Sequence, residues 1–126
     1  MTFDNFTIRA QEALQHAVQR ASELRQQSIT PAHLLHGLME VGENITQFLF
    51  GKTGVNAQVL ASTLERHLQS LSRVEGGEPY LDNDSNKVLN AAQEIARKEG
   101  DQFTGLEPIL LALLNTPSVV AQMLKD

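Results

Sequence analysis

Three stretches of the chain hold residues that could bind a metal or a phosphate. His33 and His36 stand three apart, a spacing that puts two imidazoles on one face of a helix. Such a pair could seed a zinc site, but zinc needs further ligands, and the chain has no cysteine. The neighbours of the pair are leucine and alanine, so a structural or surface role is the better reading. "DNDSNK" sets Asp82, Asp84 and Asn86 at the first, third and fifth positions of a calcium loop. Lys87 then falls where that loop needs glycine, and Gln93 where it needs a bidentate glutamate, so helix capping explains the stretch better. "GKTG", residues 51–54, has the lysine and threonine of a phosphate loop, but Gln47 occupies the place of its first glycine. His16 and His67 have no evident partner, and no serine lies in a G-x-S-x-G elbow. No cofactor, metal or nucleotide is therefore expected on this stretch of chain, and no enzymatic activity.

Bulk composition narrows the choice further. The 126 residues correspond to about one domain. Hydrophobic residues make up 41% but aromatics only 5%, so the core must be built mostly of Leu, Ala, Val and Ile. A net charge of −5 argues against nucleic acid, whose phosphates call for a basic face. The start, "MTFDNFTIRAQ", has neither the basic nor the apolar run of a signal peptide, and no stretch is long and apolar enough for a bilayer. The absence of cysteine fits the reducing cytoplasm.

The elements that must position any site repeat themselves. "RQQSITPAHLLHGLM", residues 25–39, is echoed by "GDQFTGLEPILLALL", residues 100–114, at an offset of 75. The same offset carries Leu14 to Leu89, Ala17 to Ala92, Ala21 to Ala96, Leu35 to Leu110 and Leu38 to Leu113. Each copy reads as helical. Ala10, Ala13, Leu14, Ala17, Val18, Ala21 and Leu24 form one apolar stripe; Val88, Leu89, Ala92, Ile95 and Ala96 form its partner. Thr7 is the expected N-cap of the first long helix, and Asp84 or Ser85 that of the second. Gly100 suits a left-handed C-terminal residue. The following helix starts at Pro31 in the first copy; in the second, Thr104 and Glu107 form a capping box. Short helices are expected around 44–51, after Asn56 and at about 117–125, with a loop through Gly76, Gly77 and Pro79. No strand shows strict alternation. Seven or eight helices, paired by a pseudo-twofold relation, would share one core. The copies differ chemically at Asp101 and Glu107, where the first has Gln26 and Ala32, and at Asp82, where the first has Thr7. Read from residue chemistry alone, these are caps and solvated charges.

Taken in order, "FTIRAQEALQHAVQRA", "ITPAHLLHGLME", "TGVNAQVLASTLERHL" and "LEPILLALL" resemble the N-terminal domain of the Clp ATPases. The stretch "TGVNAQVLASTLERHLQSLSRVEGG" looks most like the ClpB type, the protein disaggregases. The resemblance implies an all-α fold, two pseudo-twofold-related four-helix repeats packed as one globular domain. Repeat 1 would cover about 1–71, a linker about 72–81 and repeat 2 about 82–126. It implies a domain that weakly binds unfolded or aggregated polypeptide and hands it to ATPase modules of the same chain. Those modules would bind ATP and Mg and assemble as a homohexamer, while the isolated domain would be a monomer, binding neither nucleic acid nor membrane. For substrate binding the resemblance carries over the polar cluster Thr7, Asp101 and Glu107 and a groove leucine, Leu89. Pro108 and Ala91 depart from leucine and would shrink the apolar part of the groove. The alternative is a ClpA- or ClpC-type partner of a protease, which docks adaptors or tagged substrates. Those relatives usually carry glutamate before the histidine where this chain has Ala32.

Overall fold

The computed structural model describes residues 2–42, 44–45, 47–48, 51, 54, 56–74 and 76–125. Six helices and two very short strands are complete among them, in the order α1 (Ile8–Glu23), β1 (Ser28–Ile29), α2 (Pro31–Val41), α3 (Ala57–Ser70), β2 (Tyr80–Leu81), α4 (Asn83–Lys98), α5 (Leu106–Asn115) and α6 (Val119–Lys125). The short helix expected at 44–51 lies partly outside the described residues; Asn44, Ile45, Gln47, Phe48 and Gly51 are helical.

The duplication is visible at the level of single hydrogen bonds. α1 and α4 have the same length and begin 75 positions apart, after Thr7 and Asp82 as N-caps. The Asp82 carboxylate accepts from the Ser85 N–H at 2.7 Å. The cap is thus Asp82, not Asp84 or Ser85: those two sit inside the first turn, and the carboxylate that reaches the free N–H groups is the one just before it. α1 and α4 also end alike. Gly100 turns the chain with φ 79°, and Arg25, its equivalent, does so with φ 56°. Behind each turn, Gln26 N–H donates to Ala21 at 2.8 Å and Asp101 N–H to Ala96 at 2.9 Å.

Between the copies the chain exchanges backbone partners. Ile29 pairs in parallel with Leu81, and Phe6 with Thr104. Asp82 N–H donates to the Ile29 carbonyl at 3.0 Å and Thr7 N–H to the Thr104 carbonyl at 2.9 Å. Each contact is the other one shifted by the repeat offset, with the copies trading roles, as a pseudo-twofold axis requires. The pairing is only one or two residues long, too short to leave an alternation in the sequence.

Both apolar stripes face one core. Ala10, Ala17, Ala21, Val88 and Ala92 are fully buried, as are Leu35, Leu110 and Leu113 from α2 and α5. The small residues of α1 let α2 come close: a Cβ on Gly37 would stand 2.0 Å from the Ala13 carbonyl oxygen.

Candidate functional site

α4 runs into a turn at Gly100, and the backbone from Asp101 to Gly105 is then pinned at both ends. Asp101 N–H donates to Ala96, and Thr104 N–H donates to the Asn5 carbonyl at 2.9 Å. Thr104 itself is buried, 3% exposed, in its bridge to Phe6. Gly105, not Thr104, is the N-cap of α5, and it has no side chain to cap with. The expected Thr104–Glu107 capping box therefore does not form: the bridge holds Thr104 one residue too early. Glu107 lies in the first turn of α5 with its carboxylate exposed and unpaired among the described residues, stabilised there by the helix dipole. Thr7 does cap α1, accepting from the Ala10 N–H at 3.1 Å, and its hydroxyl hydrogen is left for another acceptor.

These elements enclose a groove of about 500 Å³, lined by Thr7, Asp101, Glu107 and Pro108 together with Glu99, Gln102, Phe103, Gly105, Leu106 and Leu111. Thr7 sits across from Gly105, where a Cβ would come within 4.0 Å of its hydroxyl oxygen. Four of the six positions compared by resemblance, Thr7, Asp101, Glu107 and Pro108, thus meet in one place. Leu89 does not join them. It is 5% exposed and packs in the core stripe of α4 beside Val88 and Ala92, so it serves the fold. Ala91 is half-buried against the core and does not line the groove either. Among the described residues, the carboxylates of Glu99, Asp101 and Glu107 take no hydrogen bond or ion pair. Glu12, Glu23, Glu65 and Glu94 instead face arginines within their own helices or across to α1.

The histidine pair is drawn apart by chemistry. His33 is fully buried. Its Nδ1 accepts the Thr30 N–H at 2.9 Å, and its Nε2 donates to Gln26 Oε1 at 2.7 Å. Gln26 in turn donates to the Leu68 carbonyl of α3 at 2.5 Å. Both ring nitrogens are committed, leaving no lone pair for a metal. Burial, helped by the positive charges of His36, His67 and Arg20, pushes His33 down from 6.5 to about 4. His36 faces a separate cleft of about 450 Å³, where Arg20 bridges Glu23 and Glu65 and His36 lies 3.8 Å from Glu40. Burial lowers the affinity of His36 for a proton as well, with Glu40 opposing it.

Residues 5–126 match the family described as the Clp repeat (R) N-terminal domain. The chain belongs to that family. Its relatives include the chaperone protein ClpB of Bacteroides thetaiotaomicron, 51% identical over all 126 residues, and that of Porphyromonas gingivalis, 43% identical over the same span. The chain covers 15% of the length of each. Among solved structures, the Hsp104 N-terminal domain from Candida albicans superposes with a TM-score of 0.84 over 96% of this chain and 80% of that one, at 20% identity. The N-terminal domain of the ClpV1 ATPase from E. coli does so with a TM-score of 0.84, over 98% of this chain and 78% of that one, at 21% identity. At those identities the superpositions establish the fold, an all-α Clp N-terminal domain with two related repeats. No helix among the described residues is long and apolar enough to cross a membrane.

Within this Clp N-terminal domain, sequence reasoning missed Glu99, Phe103, Leu106 and Leu111 as groove residues. Leu111 carried a signal: it breaks the repeat, standing where the first copy has His36. Phe103 carried another, as an aromatic residue in a polar turn of a chain that has few aromatics.

Proposed function

We propose that this chain is the substrate-recruiting N-terminal domain of a ClpB-type disaggregase chaperone, acting in the cytoplasm. Its two repeats, about 1–71 and 82–126, work as a single monomeric domain. It holds unfolded or aggregated polypeptide weakly and passes it to ATPase modules of the same protein, a homohexamer driven by ATP and Mg. The observation that carries the reading is the open groove in which Thr7, Asp101 and Glu107 stand beside Phe103, Leu106, Pro108 and Leu111. An apolar floor tolerates many side chains, and free acceptors hold backbone N–H groups or basic side chains without fixing a sequence. Segments mixing Lys or Arg with apolar residues fit best.

Titration of the labelled domain with an unfolded substrate, followed by NMR, tests this. Resonances of Thr7, Asp101 and Glu107 should move together, with a dissociation constant on the order of micromolar or weaker for so small an interface. Glu107→Gln and Asp101→Asn should weaken binding while leaving the melting curve in place, since neither carboxylate holds the fold. Shifts confined to His33 and His36, or none, would place the site elsewhere.

A further inference from the structure

We infer that the groove discriminates arginine from lysine in the polypeptide it holds, and that Phe103 is the residue that does so. The inference rests on the polypeptide-binding reading above and goes one step further into its chemistry. Three carboxylates, Glu99, Asp101 and Glu107, line the groove, and none of its lining residues is basic. The charge complementarity therefore commits the occupant to a cationic side chain. What separates one cation from the other is Phe103.

Phe103 is 47% exposed, an unusual cost for one of five phenylalanines in the chain. Its place is not accidental slack. The Asp101 N–H, two residues before the ring, is tied to Ala96, and Thr104, the residue after it, donates to Asn5 and accepts from Thr7. The backbone on both sides of Phe103 is thus anchored, and the ring is presented from a fixed frame. A guanidinium is flat and weakly hydrated; it can lie on an aromatic face and still direct its N–H donors sideways to carboxylates. An ammonium is a strongly hydrated point charge and gains less by leaving water for the same ring. The aliphatic stem of either side chain would cross Leu106 and Leu111, so the stem does not discriminate.

The test uses the 126-residue chain and three unstructured peptides that differ at one position type only: arginine, lysine, and citrulline, the neutral isostere of arginine. Fluorescence anisotropy at fixed salt gives their dissociation constants, and NMR shifts at Thr7 and Glu107 locate them. The arginine peptide should bind roughly threefold to tenfold tighter than the lysine peptide, the range of an exposed to partly desolvated cation–π contact. The citrulline peptide should bind more weakly than both. Phe103→Leu should bring the arginine peptide down to near the lysine value and weaken the lysine peptide much less, while Phe103→Tyr keeps the difference. Because the ring is half out of the protein, neither substitution should move the melting temperature. Equal binding of arginine and lysine peptides in the groove, or an equal loss of both in Phe103→Leu, overturns the arginine inference and leaves polypeptide binding standing. Absence of shifts at Thr7 and Glu107 with every peptide overturns both.

Discussion

The groove has a twin. Shifted by the repeat offset, Gly105, Leu106, Glu107 and Thr7 become Thr30, Pro31, Ala32 and Asp82, and these four line a second cavity of only about 180 Å³. His67 and Leu71 at the end of α3, with Val119 and Val120 of α6, close in on it. Two positions separate the copies: the same backbone gives a groove of about 500 Å³ whose polar groups are free on one side, and a cavity of about 180 Å³ whose neighbouring polar groups are tied up on the other. Asp101 is exposed and unpaired, while its equivalent Gln26 is buried and reaches the Leu68 carbonyl. Both Pro108 and its equivalent His33 are buried, but Pro108 has no polar side-chain atom, while His33 bridges Gln26 to the start of α2. In the sense of polar pairing the first copy is sealed and the second open: the first uses its polar side chains to fasten α3, and the second leaves its carboxylates to solvent. A duplicated fold thereby separates the two jobs that compete at any binding site, holding the core together and presenting unsatisfied groups.

The largest effect should come from prising the sealed copy apart at its tightest point. Gly37→Ala drives a methyl group into the Ala13 carbonyl, where only 2.0 Å is available and the obstacle is backbone. We expect a loss of about 3 kcal/mol or more, at or beyond the upper end of overpacking costs, read from urea unfolding. The equivalent position on the open side is Ala112, which already carries that methyl group, so the reverse change Ala112→Gly should cost only about 1 kcal/mol. A Gly37→Ala protein as stable as the parent would mean that the α1–α2 crossing relaxes freely.

Acid should act on the sealed copy next. His33 is held neutral, with its pKa lowered from 6.5 to about 4, first by burial and then by the charges of His36, His67 and Arg20. The unfolded chain binds that proton more readily than the folded one. The stability contributed is therefore complete above pH 6.5 and is lost as pH falls from 6.5 towards 4, about 3 kcal/mol in all. Glu65, lowered chiefly by its hydrogen bond from Gln69, begins to lose its contribution only as pH falls below the ordinary value of 4.5, so its window opens where that of His33 is closing. Imidazole NMR should find His33 untitrated at pH 5; a midpoint near 6.5 would sink this account.

How much of this asymmetry was legible beforehand follows from the range of each interaction. The offset, the helices and the apolar stripes were readable because they are written in local periodicity. Gln26 gave no hint that it was buried, since its partner Leu68 is 42 positions away on an element that only tertiary packing brings near. Thr104 and Glu107 looked like a capping box for the opposite reason. The local pattern was right, but the bridge to Phe6 overrode it. Register places Leu89 on the core stripe and only the resemblance places it in the groove, and its 5% exposure agrees with the register.

A direct exchange at equivalent sites should give a middle-sized difference. Gln26→Leu leaves the Leu68 carbonyl and the His33 Nε2–H without partners inside the protein, and should cost about 1–3 kcal/mol. Asp101→Asn, one repeat away, should change stability by less than about 0.5 kcal/mol, as for any exposed side chain without partners. Binding should respond in the opposite order. If both variants destabilise equally, the division between a fastening copy and a presenting copy is wrong.

The smallest effect concerns the one turn that both copies share. Gly100 and Arg25 stand at equivalent positions with φ of 79° and 56°, in the left-handed region that costs a side chain about 1–2 kcal/mol. Gly100→Ala meets no neighbouring atom within 4 Å, so its cost is purely conformational, about 1 kcal/mol. Arg25→Gly relieves the same strain on the sealed side but gives the unfolded chain more freedom, and the Arg25 side chain also gives up its own contacts. These terms nearly cancel, so we expect a change within about 0.5 kcal/mol of zero in urea unfolding. The pair of measurements separates turn geometry from copy. If Arg25→Gly costs as much as Gly100→Ala, then what holds Arg25 is its side chain and not its turn, and the sealed copy fastens itself through a residue at which the open copy has no side chain at all.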